Sequence, residues 1–560
     1  MAALVNEQAY KYAVKNAFLH EGKADAGSLI GKLKALNPEM DVKEIAKIAK
    51  DTVSEVNEMS PEEISSEYER LEKEEGFELK PREKEPGLKE LEWFKEGKER
   101  CVTRFAPNPN GPFHLGNARA AVLSHEYARK YDGKFLLRFD DTDPKVKKPI
   151  PNAEKIFKED LGWLGCKVDE TFFASDRLSI YFDFMRKLID AGHAYVCTCS
   201  SEEWRKKISA GTACGCRELE AKETMERFEK MMRHEFKEGG AVLKIKTDLK
   251  HKDPSIRDWW AAKIVDNPEH PRKGKDFHVW PSYNFASAID DHELGVTLII
   301  RGQEHAQNET KQRFLYNYFG WIYPHAIYTG RLKLQKAVLS TSKIRKGIEE
   351  GIYIGWDDPR LGTIKALRRR GFDARALKDA LIDLGIKSND ATIEWDSLAA
   401  LNRKYAEPVA EKIAFFKNPV RLDVVFAQEK TIEIDGQEVE LFEGEQNFIV
   451  EREQLQQFKL GEVFRLREVY NVRLNELTEF RAIAEFVSDV PIKKNVIPWL
   501  LDGLGVDVIV MMPSAKQHGG MAEQKILSKK IGDLCYFERL GFVRIDDKGA
   551  GRIIAWFTHK

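Results

Sequence analysis

At 560 residues the chain is too long for a single hydrophobic core, and three to five domains are expected. Its 90 Lys and Arg stand against 91 Asp and Glu, a formal charge of −1, which excludes a uniformly basic coat and confines any nucleic-acid contact to local patches. No apolar run reaches the ~20 residues of a membrane span, and the N-terminus lacks a basic start, an apolar stretch and a cleavage site, so a cytoplasmic protein without a membrane partner is expected.

Residues 1–98 read as a helical appendix and linker. Leu29, Ile30, Leu33 and Leu36 recur at helical spacing, and Ser60-Pro61 reads as a cap with Pro at the first helical position. Over 67–98 Glu and Lys dominate around Pro81 and Pro86, the composition of a solvated linker. From 99 to 195 short apolar runs alternate with amphipathic helices, the pattern of a parallel α/β sheet. The run 102–106 ends in PNPNGP (107–112), which disfavours helix and ladder alike, and Asn117 opens the helical segment that follows. Strand, polar loop and helix N-terminus form the geometry that receives a phosphate. His114 and Asn117 add donors there, and Gly116 lets a ligand approach the backbone. A second strand, 134–139, ends in the acidic stretch 140–143. Such sheets bind ligands beyond the carboxyl ends of their strands.

Cys101, Cys166 and Cys535 are isolated in apolar contexts and read as small buried hydrophobes. Cys197, Cys199, Cys214 and Cys216 form two C-x-C pairs separated by 14 residues, which suits tetrahedral Zn²⁺; four unpaired buried thiols are the alternative. A helix is expected over 219–237 and a strand over 241–247. The second half of the first α/β fold is expected to resume at 277–281. A strand over 296–301, apolar without alternation and so buried on both faces, ends at Arg301. Then come a helix over 306–319 and a loop carrying Ser340 to Lys343. Residues 357–408 read as a helical bundle containing Arg368, Arg369 and Arg370. Beyond 420 the pattern turns all-β, with strands at 431–434, 439–442 and 463–466 and turns at 435–436 and 443–444.

The stretch RFAPNPNGPFHLGNAR (104–119) resembles the HIGH signature of class I aminoacyl-tRNA synthetases in its glutamyl and glutaminyl form. VLSTSK (338–343) resembles the second signature, KMSKS. LRFDDTDP (137–144), YNFASAIDDHELGVT (283–297) and DDPRLGTIKALRRRG (357–371) resemble the same subclass, and the likeness to an archaeal-type glutamyl-tRNA synthetase runs through nearly the whole chain. It implies a multidomain α/β protein: an appendix and linker (1–98), a Rossmann-like fold in two halves (99–195 and 276–345), an inserted acceptor-binding domain with the Cys₄ zinc site (196–275), a helical stem-contact domain (346–408) and anticodon-binding β-barrels (409–560). Bacterial glutamyl enzymes carry helices in place of the barrels.

The implied activity is ATP-dependent ligation of L-glutamate to tRNA(Glu) through a glutamyl-adenylate, with Mg²⁺ beside the nucleotide, by a monomer. Archaeal relatives often charge tRNA(Gln) with glutamate as well, and the sequence leaves this open. The resemblance assigns catalysis to His114, Asn117, Ser342 and Lys343. It assigns ATP to Pro107, Gly111, His114, Gly116, Asn117, Arg301, Glu304, Leu339, Ser340 and Lys343. Glutamate falls to Arg104, Ala106, Asn108, Asp140, Tyr283, Ser287 and Arg301, with Asp140 near the amino group, and the tRNA backbone to Arg368, Arg369 and Arg370. Val338 and Thr341 stand where the two KMSKS lysines would be, which shifts the leaving-group role to Lys343. Two rivals stay open: a glutaminyl-tRNA synthetase, against which Arg301 weighs, and a catalytically inactive tRNA-binding paralogue, against which Arg104, His114, Gly116, Arg301 and Lys343 weigh.

Overall fold

Apolar runs without alternation become the central parallel sheet, in the order Glu170–Phe173, Lys134–Phe139, Val102–Phe105, Leu298–Gly302, His325–Thr329. The computed structural model describes residues 2–19, 22–37, 39–75, 87–434, 437–549 and 551–560, and divides into units spanning Met1–Pro86 and Gly87–Lys560. Two chain halves meet inside the sheet where Thr103 pairs with Leu298. That junction is the switch point at which an open parallel sheet leaves a crevice beyond its carboxyl edge. The helix Leu115–Lys130 covers the sheet and buries Leu115, Ala118, Ala121 and Val122 among Phe105, Phe135 and Leu137.

The inserted segment forms its own antiparallel sheet from Ala194–Cys197, Val242–Ile245, Trp260–Ile264 and Val279–Pro281. This corrects the expectation for 277–281: Val279–Pro281 closes the insertion's sheet, pairing Val279 with Ile264, and the helix Tyr283–Glu293 begins the second half. The helix expected over 219–237 is shorter, Ala221–Met232, and the strand expected over 241–247 is Val242–Ile245.

Helices Ile364–Arg369, Ala374–Leu384 and Trp395–Ala406 make up the expected bundle, and Leu377, Leu381 and Leu398 share a core with Phe113 and Leu115. A strand the sequence reading missed, Ala391–Ile393, pairs with Leu332–Leu334 beside the cavity. The C-terminal region carries two seven-stranded sheets, each over its own apolar cluster. The turn expected at 435–436 lies outside the described residues.

The first unit packs helices Ala2–Leu19, Ala26–Leu36, Val42–Asn57 and Pro61–Glu75 around Val5, Ala13, Ile45, Ala49 and Ile64. Ser60 and Glu63 cap the last helix reciprocally: the Glu63 N–H donates to Ser60 Oγ, and the Ser60 N–H donates to the Glu63 carboxylate. The linker expected from residue 67 is therefore helical through Glu75, because Ile64, Tyr68 and Leu71 recur at helical spacing and are buried; residues 76–86 of it lie outside the described residues.

Candidate active site

A cavity of about 1060 Å³ opens at the switch point. Its lining includes Arg104, Ala106, Pro107, Asn108, Gly111, His114, Gly116, Asn117, Asp140, Tyr283, Arg301, Glu304, Leu339 and Ser340. Most of the expected substrate residues thus come together from five separate stretches of chain. The proline-rich loop is pinned by its neighbours: the Asp140 N–H donates to the Pro107 carbonyl (2.9 Å), and Asn108 Nδ2 donates to the Asp140 carbonyl (3.0 Å).

His114, rather than Asn117, caps the helix that begins at Leu115, with its Nδ1 accepting the Asn117 N–H at 3.3 Å. The sequence reading started this helix too late because Leu115 and Gly116 carry no cap signature. Burial lowers the His114 pKa to about 4, so the ring is neutral at pH 7. With Nδ1 accepting, the proton sits on Nε2, and the ring is a donor rather than a cation. Gly116 has a local role: an added Cβ would lie 3.1 Å from His114 Nδ1, so the missing side chain leaves room for that ring.

Beside these groups lies a buried network of charges. Arg104 donates from Nε and Nη2 to the two oxygens of Asp291, at 3.0 and 3.2 Å. Arg138 bonds both Asp140 and Asp290, and Asp290 also accepts from Arg177 Nε at 2.6 Å and from the Tyr181 hydroxyl. Burial raises the Asp140 pKa to about 6, against the pull of Arg138. Asp290 and Asp291 were not singled out from sequence. Two adjacent aspartates in the mostly apolar stretch 285–291 were the available signal, since buried carboxylates require cations.

Arg301 differs from the other arginines of this network. It is 5% exposed, yet among the described residues no carboxylate lies within salt-bridge reach. Nη1 donates to Gln312 Oε1 (3.2 Å), and Nη2 donates to the hydroxyls of Tyr323 (3.0 Å) and Tyr328 (2.9 Å). Nε is buried without a partner. Burial works against its charge, but Tyr283, Tyr323 and Tyr328 outweigh this and hold the guanidinium above its ordinary pKa. Ser287 is fully buried with its Oγ unpaired and is not among the residues lining the cavity.

Against this geometry, a family model for tRNA synthetases class I (E and Q), catalytic domain, matches residues 100–408. A glutamate–tRNA ligase of Thermococcus kodakarensis is 48% identical, the match covering 99% of this chain and 100% of the relative. The chain belongs to the glutamate–tRNA ligases. One from Pyrococcus furiosus is 46% identical over 99% of this chain and 100% of its own, and one from Sulfolobus acidocaldarius is 42% identical over 98% of each.

The two signature stretches of this class I ligase touch. A Cβ on Gly111 would collide with the Thr341 side chain, and Arg345 donates to the Asn110 carbonyl. Ser342 and Lys343 occupy the exposed first turn of the helix Thr341–Glu349, just outside the cavity lining, whereas Arg331 and Lys333 line it. These two cations were missed because nothing in the local sequence of 331–334 aims them at the crevice.

The arginine triplet divides three ways, and the structure removes one member from the expected nucleic-acid surface. Arg370 is buried, donating to the Thr558 carbonyl at 2.9 Å with its guanidinium 4.4 Å from the Trp395 ring centre. Arg369 pairs with Asp546 (2.7 Å) and Asp357 (2.9 Å). Arg368 is exposed beside Trp163. Successive helical residues point about 100° apart, so three neighbours cannot share one surface.

The cysteine pairs converge: Cys197 and Cys214 sulfurs are 3.9 Å apart, Cys199 and Cys216 also 3.9 Å, and all four lie within 4.8 Å of one another. Tetrahedral Zn²⁺ with Zn–S bonds of ~2.3 Å requires sulfurs ~3.8 Å apart.

Proposed function

We propose that the chain joins L-glutamate to the 3′ end of tRNA(Glu) in two steps, with the cavity at the switch point as the site of both. The observation that carries this reading is the buried Arg301, a cation without a carboxylate, in one crevice with Asp140 and both nucleotide signatures. A guanidinium of this kind suits the side-chain carboxylate of glutamate through paired charge-assisted hydrogen bonds. Asp140 suits the α-ammonium, and a cation and a carboxylate lining one cavity suit an amino acid carrying charge at both ends.

In the first step a substrate carboxylate oxygen attacks the α-phosphorus of ATP, and the bond to pyrophosphate breaks. In the second a terminal ribose hydroxyl attacks the acyl carbon of the adenylate, and AMP leaves. Neither step requires a nucleophile from the protein, so positioning and charge carry the rate. His114 Nε2–H donates a neutral hydrogen bond to the phosphates, and Asn117 assists. Pro107, Gly111, Gly116, Glu304, Leu339 and Ser340 shape the nucleotide side. Lys343 and Ser342 steady the leaving pyrophosphate from their exposed turn. Mg²⁺ enters with ATP as its counter-ion. Asn108, Ala106 and Tyr283 complete the amino-acid side, from which the fully buried Ser287 is removed, and Arg368 reaches the tRNA backbone.

Cys197, Cys199, Cys214 and Cys216 would hold one structural Zn²⁺, which supplies a cross-link to the inserted domain. The sulfur spacing supports this assignment. The protein acts as a monomer in the cytoplasm. Pyrophosphate exchange with added tRNA(Glu) tests the reading: exchange with glutamate and not glutamine is expected, and the reverse preference would overturn it. Charging purified tRNA(Gln) with glutamate decides whether that tRNA is also a substrate.

A further inference from the structure

The helix Tyr283–Glu293 carries the buried pair Asp290–Asp291 behind the cavity, where Asp291 bonds the lining residue Arg104, and Asp290 bonds Arg138, which in turn bonds the lining residue Asp140. Asp291 grips Arg104 through two parallel hydrogen bonds, leaving only Nη1 of that guanidinium without a hydrogen bond among the described residues. Asp290 and Asp140 together hold Arg138 and Arg177. Glu309, which accepts the Tyr328 hydroxyl beside Arg301, is itself paired with Arg313 at 2.7 Å. Four guanidiniums thus face four carboxylates, and Arg301 is left over. Apart from the exposed cations Lys147, Lys263, Arg331 and Lys333 that also line the cavity, this surplus buried charge matches the side-chain carboxylate of an acidic amino acid. A zwitterion of net charge zero would leave that excess buried without a partner.

We propose that Asp291 is a positioning and specificity residue: by neutralising and orienting Arg104, it leaves Arg301 as the one buried cation lining the cavity that, among the described residues, has no carboxylate and can read the substrate. Without the Asp291 carboxylate, Arg104 becomes a second free guanidinium in the same low-dielectric space. It then turns toward any available anion and misplaces the substrate carboxylate. Two consequences separate this from a merely structural role. Small anions should compete with glutamate, and a small carboxylate should restore what the missing side chain supplied.

The proposal rests on reading this cavity as the glutamate site. Wild-type protein that activates no glutamate refutes that reading, whereas an active wild type with indifferent Asp291 variants refutes only the role of Asp291. The test is pyrophosphate exchange with tRNA(Glu), varying glutamate and ATP separately, for Asp291→Ala and Asp291→Asn. Loss of one partner of a buried charge pair predicts at least about a tenfold fall in kcat/KM for glutamate, with the KM for ATP within about twofold of wild type. Formate should restore a large part of the loss in Asp291→Ala and none in wild type, and chloride should inhibit Asp291→Asn competitively with glutamate. A fall in activity that formate does not relieve, accompanied by a parallel rise in the KM for ATP, would overturn the proposal. Should both variants fail to fold, Arg104→Gln/Asp291→Asn removes the two charges together in a similar shape. That double variant should fold and show no chloride competition, and chloride competition in it would overturn the proposal equally.

Discussion

Replacing Arg301 with Met should have opposite effects on the free protein and on its use of glutamate. In the free protein Arg301 is a buried cation surrounded by neutral groups, Gln312, Tyr323 and Tyr328. Such a charge costs stability rather than adding it, and Met fills similar space without it. Its removal orphans little: the Tyr323 hydroxyl still donates to Gln312 at 2.7 Å, and the Tyr328 hydroxyl still donates to Glu309. The melting temperature of Arg301→Met should therefore match or exceed that of wild type. The loss appears with substrate. Glutamate would enter a desolvated pocket whose counter-charge is gone, costing roughly 2–5 kcal/mol. At about 1.4 kcal/mol per decade that is about 30- to several-thousand-fold in kcat/KM. Glutamine brings no side-chain charge and should lose little, so the glutamate-to-glutamine ratio should narrow by at least about tenfold. Pyrophosphate exchange with tRNA(Glu) and each amino acid measures the ratio, and thermal melts with and without glutamate measure the rest. Glutamate at 100 times its Kd should stabilise wild type by about 2.7 kcal/mol and the variant far less. A lower melting point, with equal losses for both amino acids, would refute the reasoning and make Arg301 a structural residue.

Protein purified without added metal should contain one zinc equivalent, measured by elemental analysis, and a zinc-free preparation with four titratable thiols in the cluster would sink that assignment. Arg368→Ala should flatten the salt dependence of tRNA binding by about one unit of slope. Arg370→Ala should leave the slope alone and cost about 1.5–3 kcal/mol of stability, the range for hydrogen bonds from a charged group. Asp140 gives activity and stability opposite responses to acid. Its pKa is raised to about 6 from an ordinary 3.8, so between these values the folded state holds a proton that the unfolded state lacks. This carboxyl thus costs stability above pH 6, and the cost is relieved as pH falls toward 4. With Asp140 in its proposed role beside the α-ammonium, kcat/KM for glutamate should fall through the same window, and a flat glutamate profile from pH 7 to 5 would separate Asp140 from substrate binding.

Elements bounded by strong local signals were legible. The strand Lys134–Phe139 and the helix Ala306–Phe319, stopped by Gly320, match their expected bounds. Residues 277–281 were expected to open the second half of the first fold, but Val279–Pro281 closes the insertion's sheet, because three apolar residues say nothing about which partner they pair with. The same limit applies to the site. That Arg104 and Arg301 belong to one crevice was legible from the motifs around them, but Arg104 meets Asp291 across 187 residues, and no periodicity encodes that contact. The difference between a paired and an unpaired arginine is a property of tertiary packing. So is the division of 368–370 into exposed, ion-paired and buried members, for which helical spacing predicts divergence but not direction.

The position of the strand Arg552–His559 constrains the order in which a newly made chain can fold. Arg552–His559 sits in the middle of its seven-stranded sheet, between Gly541–Gly549 and Gly505–Met511. Its Phe557 and Thr558 carbonyls accept from Arg370, the Thr558 hydroxyl donates back to the Arg370 carbonyl, and His559 meets Asn402. The helix that ends beside Arg370 begins at Ile364, whose N–H donates to the Phe113 carbonyl next to His114. A chain still emerging from the ribosome folds its N-terminal parts first, but it cannot seat the strand at the centre of this sheet until residues 552–559 have emerged. A product terminated before Arg552 would lose both the middle of that sheet and the carbonyls that hold Arg370. The strand Arg552–His559 thus secures, across 188 residues, the helix that runs from beside His114 to Arg370.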